Sequence, residues 1–422
     1  MTRALVVIDG EHYAPVVRDA IARLPYEVAA AWVAGGSEKL RGGEEYGVPV
    51  VAELADGLAG VDVVVDLSDE PVLGPRERFR LASRVLAAGL PYVGADFRFD
   101  PPPFEPFELP SIGIIGTGKR VGKTAVAGAV ARQLARTREV VVVAMGRGGP
   151  PEPELADVAP TLDSLLDLSR AGRHAASDYL EDAALAGVVT IGCRRCGGGF
   201  AGAAMTSNVV EGARLALERR PDLVLFEGSG SALPPVATRR RILVVGAGQS
   251  PEVAAGYLNA YRILISDLVV IAPAEPGEPL EELRRAIVAV KEVPVVAAAL
   301  RPRPVAPITG KRVAFFTTAP EQAHERLTAH LVEQHGAAAV SVSGSLARRE
   351  TLRDDLGQVE ADVYLVEIKA AAIDVVAETA ASRGVGVVFA DNEVLPLEGE
   401  PDLEAEVEAL AEAALQEPVA AA

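Results

Sequence analysis

A chain of 422 residues exceeds one ordinary core, so two or three domains are expected. Its formal charge of −18 argues against general nucleic-acid or anionic-membrane binding, and a highly anionic substrate would need a local basic pocket. Residues are 49% hydrophobic but only 5% aromatic, so the apolar mass is Val, Ala, Leu and Ile, which suits buried parallel strands covered by helices.

The two cysteines, Cys193 and Cys196, exclude a disulfide framework and fit a reducing compartment. The opening "MTRALVVIDGEHY" lacks the length and cleavage site of a signal peptide. No apolar run approaches the ~18 residues of a membrane span. A soluble cytoplasmic protein is expected, without nucleic-acid or membrane partners. A homodimer is compatible with the sequence, which does not fix the oligomeric state.

Three segments emerge, separated by the proline-rich stretches Asp100–Pro110 and Arg301–Gly310, both of which read as linkers. Residues 1–100 open with the strand "ALVVIDG" and the helix "APVVRDAIARL". Strands "EVAAAWVAGG", "VDVVVDLSD" and "LPYVGAD" and the helix "RERFRLASRVLAAG" follow, as in a small parallel α/β domain. Asp9, Glu11, His12, Asp69 and Asp96 lie at strand ends, where they either organise a small site or are simply exposed acids.

Residues 111–300 repeat the alternation on a larger scale. Strand "SIGIIG" runs into "GTGKRVGKT", and the helix "TAVAGAVARQLAR" follows. A strand, a Gly-rich turn and a helix N-terminus make a phosphate cradle of backbone N–H groups. The stretch Gly116, Thr117, Gly118, Lys119, Arg120, Val121, Gly122, Lys123 and Thr124 is therefore the candidate ATP site. Lys123 would reach the β- and γ-phosphates and Thr124 would ligate Mg²⁺. The strict pattern needs glycine where Thr117 stands, five residues before Gly122. Lys119 and Arg120 add two cations to the loop. They face either the γ-phosphate, a second anionic substrate, or solvent.

Strand "DLVLFEG" ends in Glu227, a candidate metal carboxylate beside the Gly-Ser turn "GSGS". "GCRRCGGGFAGA" follows strand "VVTIG" at a carboxyl end, where α/β sheets bind ligands. Arg194 and Arg195 offer donors to phosphate or carboxylate, and Gly197, Gly198 and Gly199 permit close backbone approach. The two cysteines read as reduced packing thiols, since two alone do not complete a zinc site. Arg147, in "AMGRGGP", either reaches the same crevice or is solvated. In "AGRHAASDYLEDA", helical spacing puts His174, Asp178, Glu181 and Asp182 near one face.

Residues 310–400 begin with "KRVAFFTTA" and read as another small α/β domain. Residues 401–422 form a helical tail that frays in Ala. The fold class is thus α/β, with a central, mainly parallel nucleotide-binding domain flanked by smaller α/β domains.

"GTGKRVGKT" is similar, without gaps, to the loop of the dethiobiotin synthetase-like branch of P-loop NTPases. "VVIDGEHY", that loop, "SDYLEDAALAGVVTIGCRRCGGG" and "LFEGSGSALPPV" together resemble the cyclic 2,3-diphosphoglycerate synthetase family, over most of the chain. The resemblance implies ATP-dependent closure of 2,3-diphosphoglycerate to its cyclic form, releasing ADP and phosphate, with an associated 2-phosphoglycerate kinase activity. Under this reading Lys119, Lys123, Glu227, Arg194 and Arg195 are the catalytic candidates. Arg147, Arg194, Arg195 and Gly197–Gly199 are the candidates for binding a small phosphorylated anion. A carboxylate ligase of the dethiobiotin synthetase-like branch and a non-enzymatic nucleotide switch are the alternatives.

Overall fold

A computed structural model describes residues 1–368 and 372–417. The fraying expected of the final Ala run lies outside the described residues.

The amino-terminal unit is a six-stranded sheet. Its strands are β1 (Arg3–Ile8), β2 (Glu27–Val33), β3 (Val50–Val51), β4 (Val63–Asp66), β5 (Tyr92–Val93) and β6 (Arg98–Phe99), in the order β3-β2-β1-β4-β5-β6. Only the β5–β6 pair is antiparallel. From Ala4 to Ile8, β1 is buried on both faces, as a central parallel strand with helical cover must be. The helix Pro75–Ala87 joins this unit to the next. Phe79 stacks edge-on against Tyr257, and Ser83 Oγ donates to the Tyr257 carbonyl at 3.1 Å.

The remaining strands form one sheet: β7 (Ser111–Gly116), β8 (Val140–Gly146), β9 (Glu154–Ala156), β10 (Val189–Cys196), β11 (Thr206–Ser207), β12 (Leu223–Glu227), β13 (Arg240–Val245), β14 (Leu268–Ile271), β15 (Val295–Pro304), β16 (Arg312–Phe316), β17 (Ala339–Ser343), β18 (Val363–Glu367) and β19 (Gly386–Pro396). The order is β11-β10-β8-β12-β7-β13-β14-β15-β19-β18-β16-β17, with β9 alongside β10. From β10 to β15 neighbours run parallel, so the carboxyl ends of β7, β8, β10 and β12 gather on one edge.

The expected second linker is a linker only in its later half. β15 continues through Pro304 and pairs antiparallel with β19, so the third segment extends the central sheet. Two prolines are tolerated because Val305 N–H points at β19, which turns positions 302 and 304 away from it. β14 pairs with β15 only as far as Ala297, so the missing donors break no ladder.

The tail is equally integrated as far as it is described. The helix Leu403–Gln416 is capped by Asp402 and buries Leu403, Val407, Ala411 and Ala414 in the nucleotide-binding core. Among the described residues, no helix is long and apolar enough to cross a membrane.

Candidate active site

β7 is buried from Ser111 to Gly116, which fixes where the following loop begins. The loop turns at Arg120 (φ 63°) and Gly122 (φ 84°), and the helix Lys123–Leu134 starts directly after. A left-handed backbone costs an L-residue roughly 1–2 kcal/mol, which Gly122 avoids and Arg120 bears. A Cβ at Gly122 would also stand 2.9 Å from Leu300 Cδ1. Thr117 has a task of its own. Its hydroxyl donates to Gln249 Oε1 at 2.5 Å, and that oxygen also accepts from Gly246 N–H. The non-glycine residue thereby staples the loop to the turn after β13.

Lys123 is buried, and its Nζ lies 2.9 Å from Glu227 Oε1. Thr124 Oγ1 donates to the same oxygen at 2.9 Å. Burial pulls the Lys123 ammonium down, but Glu227, Asp178 and Asp182 outweigh it and the net direction is up. Asp182, 3% exposed, is driven well above the usual carboxylate range by burial and then by Glu227, Glu181 and Asp178. Among the described residues, Asp182 Oδ2 and Glu227 Oε2 are buried and have no N–H or O–H donor. A proton shared between the two carboxyls would offset their repulsion.

These acids come from the helix Asp178–Ala186, which packs under β8 and β10. Asp178 and Asp182, one turn apart, are site residues that sequence reasoning left out of the site. The signal was the i, i+4 spacing of Asp178 and Asp182, with Glu181 between them, in a helix whose remaining residues are apolar or aromatic. His174, expected on the same face, precedes the helix. Its ring packs on Gly148, and Arg173 pairs with Glu154.

The basic half of the site forms around the turn after β12. Gly230 sits at φ 59°, and a Cβ there would lie 2.9 Å from Arg147 Nη2 and 3.5 Å from Arg195 Nη2. The Gly230 carbonyl in turn approaches Gly116. Arg195 donates to the Ser229 and Gly197 carbonyls at 2.8 and 2.7 Å, while its Nε is buried without a partner. Burial, then the like charge of Arg147, pulls the Arg195 guanidinium below its usual range. Two converging cations with an unused buried donor suit an anion.

Arg194 does not join them. β10 runs through Cys196, so its period of two puts adjacent arginines on opposite faces. The Arg194 side chain is exposed, and only its backbone is tied, to Asn208. Gly197–Gly199 lie in the exposed β10–β11 connection, and Lys119 and Arg120 are exposed on the loop crest. Cys193 is a packing thiol, buried against Gly212 and pushed up to about 12 by burial. Cys196 is exposed, contrary to expectation, because it occupies the opposite face of the strand.

The acids of the first unit serve the backbone. Asp9, 1% exposed, accepts from the N–H groups of Glu11, His12 and Asp69 and from His12 Nδ1. These bonds outweigh burial and hold its carboxyl below the usual range. Glu11 accepts from the Ser37 and Glu38 N–H groups, while Asp96 lies apart on an exposed turn.

A parallel sheet, a Gly-rich loop entering a helix at Lys-Thr, and an acid at the end of the adjacent strand define a P-loop NTPase fold. Residues 3–100, 111–299 and 304–393 match, in turn, the amino-terminal, P-loop and carboxyl-terminal domain models of cyclic 2,3-diphosphoglycerate synthetase. The cyclic 2,3-diphosphoglycerate synthetase of Rubrobacter xylanophilus is 50% identical, covering 93% of this chain and 94% of its own. That of Thermococcus gammatolerans is 45% identical, covering 94% of each. This chain belongs to the cyclic 2,3-diphosphoglycerate synthetase family. Among solved structures, the ATP complex of LpxK from Aquifex aeolicus overlaps 73% of this chain and 90% of its own, with a TM-score of 0.41 and 13% identity.

Proposed function

We propose that this protein uses ATP to close 2,3-diphosphoglycerate into its cyclic phosphoanhydride, releasing ADP and phosphate. The observation that carries this reading is the turn 228–230. It joins the P-loop and Glu227 on one side to Arg147 and Arg195 on the other. A nucleotide and a small anion would therefore meet at one point.

The chemistry needs placement and charge neutralisation more than a strong base. ATP transfers its γ-phosphoryl to one substrate phosphate, breaking the β–γ bond. The neighbouring phosphate then attacks the activated phosphorus, and inorganic phosphate leaves. Two phosphates on adjacent carbons are already close, so the site need only hold them in line. Arg147 and Arg195 hold the anion, and Lys123 neutralises the γ-phosphoryl. Lys119 and Arg120 close over the nucleotide from the crest. Gly197–Gly199 border the anion pocket from the β10–β11 connection, while Arg194 stays on the outer face of β10.

Hard oxygen donors and orphaned carboxylate oxygens suit Mg²⁺, with Thr124 and Glu227 as its ligands and Asp182 beside them. Bound there, the ion would neutralise charge on the transferring group. The same pocket would accept 2-phosphoglycerate as a kinase substrate. An acidic, disulfide-free chain fits the cytoplasm.

The test is to incubate the protein with ATP, Mg²⁺ and 2,3-diphosphoglycerate and resolve the phosphorus signals. A coupled anhydride pair with stoichiometric ADP and phosphate is expected. ADP release with unchanged diphosphoglycerate signals would overturn the reading and leave a nucleotide switch or a carboxylate ligase.

A further inference from the structure

A second cluster of metal-ligating side chains lies away from the nucleotide site. His330 is in the last turn of the helix His324–Glu333, and His335 follows two residues after that helix ends. Glu393 stands on β19, in register with Arg301 of β15. The His330 side chain is only 9% exposed. The Nε2 atoms of both His330 and His335 are buried and have no hydrogen-bond partner among the described residues. His330 Nε2 lies 3.7 Å from Glu393 Oε2, and one ligand atom from each of the three residues falls within 4.8 Å of the others.

Two histidine nitrogens left dry and unpaired are costly unless something fills the space between them. A tetrahedral ion with bonds of ~2.0–2.1 Å separates its ligand atoms by roughly 3.3–3.4 Å. Small side-chain rotations would close the observed spacing to that value. The rings are already splayed, with centroids 5.3 Å apart and planes at 70°, so both can aim at one point without stacking. The neighbouring cation does not compete. Arg301 is engaged by Glu275 at 3.0 and 2.7 Å.

We propose that His330, His335 and Glu393 bind one divalent transition-metal ion of the zinc class, with water in the fourth position. Two imidazoles and one carboxylate favour zinc over magnesium, which prefers an all-oxygen octahedron. The ion would pin the helix His324–Glu333 to β19. Asp391, two residues along that strand, makes an ion pair with Arg132 of the P-loop helix. The site would thus brace the seam between the two halves of the large sheet.

The test uses the full chain, stripped by a chelator and held in excess Mg²⁺ to saturate the nucleotide site. Cobalt(II) is the spectroscopic probe. The expected result is one equivalent bound, with the intense visible bands of a tetrahedral ion, no thiolate charge-transfer band, and displacement by zinc. His335→Ala and the isosteric Glu393→Gln should each lose those bands. Each should weaken zinc binding more than the roughly 10–100-fold typical of losing a supporting partner. Zinc should also raise the thermal midpoint of the wild type but not of Glu393→Gln. Absence of the bands, or their survival in Glu393→Gln and in the folded histidine variant, would overturn the proposal.

Discussion

The Lys123 ammonium sits 2.9 Å from Glu227 Oε1, so the proposed phosphate-binding lysine and metal-binding acid are each other's partner. In the proposed mechanism Lys123 leaves that oxygen to reach a γ-phosphate, and a metal ion takes its place there. The pair therefore keeps a buried lysine and a buried glutamate satisfied until nucleotide and metal arrive together.

Glu227→Gln separates these roles. The amide oxygen still accepts from Lys123 and Thr124, so the fold should persist, but the charge that attracts a metal is gone. Turnover of ATP should fall by roughly two orders of magnitude, the scale of losing one preorganised electrostatic contact. The Mg²⁺ concentration needed for half-maximal rate should rise. Unchanged turnover and an unchanged Mg²⁺ requirement would remove Glu227 from the metal site.

Asp182 gives a pH signature. Burial and three neighbouring acids raise its carboxyl, so the native state keeps a proton that the unfolded chain releases. The stability from neutral Asp182 is complete below the unfolded value of ~3.9 and is lost as pH rises toward the higher folded value. Asp182→Asn has no proton to lose. Without nucleotide, its thermal midpoint should gain on the wild type along a pH series rising from ~3.9. An equal difference at both ends would show that Asp182 is charged in the native protein.

Much of this site was legible because its parts lie where strands end. Apolar runs located β7, β8 and β12, and the acid or glycine after each run marked the edge that holds the candidate ligands. Arg194 and Arg195 were harder, since "VVTIG" ends in glycine and looks finished. The strand continues because Cys193 packs inward on Gly212, and that extension decides which arginine faces Arg147. Pro302 and Pro304 disguised β15 in the same way. A sequence does not reveal that the neighbouring strand has already stopped pairing.

The two arginines should therefore behave differently. Arg195→Ala should reduce kcat/KM for 2,3-diphosphoglycerate by roughly ten- to over a hundred-fold, from the ~1.5–3 kcal/mol of a charge-assisted contact. Its KM for ATP should change little. Arg194→Ala, on the exposed face, should cost several-fold less. Steady-state kinetics varying each substrate in turn would decide it, and an equal or larger loss in Arg194→Ala would overturn the assignment of the anion to the Arg195 face of β10.

The cysteines should differ in reactivity. Burial pushes the Cys193 thiol up to about 12, so at neutral pH it carries almost no thiolate. Iodoacetamide should label the native protein at Cys196 alone, as peptide mass mapping would show. Cys196→Ser should be silent. Cys193→Ser should lose about 1–3 kcal/mol, because a buried hydroxyl needs a partner that the thiol does not. Rapid labelling of Cys193 in the native state would mean that the β10 edge opens.

The longest-range prediction concerns Asp391 of β19, 4% exposed and shared by two arginines. Arg303 of β15 reaches it at 2.8 Å, and Arg132 of the P-loop helix pairs with the same carboxylate. Arg132 also donates to the Asn392 carbonyl, and Arg303 to that of Leu185 in the helix bearing Asp182. One carboxylate thus ties β15 and β19 to both helices that line the site. Asp391→Asn leaves two partly buried guanidiniums without their counter-ion, and removing one partner of a buried pair costs about 3–5 kcal/mol. Arg303 keeps some solvent, so the lower end of that range is expected, read from the midpoint of denaturant unfolding. The variant should also bind ATP more weakly, since Arg132 anchors the helix that begins at Lys123. A stability change below about 0.5 kcal/mol, the scale of a neutral surface substitution, with unaltered ATP binding would show that the third segment's strands join the sheet without bracing the nucleotide site.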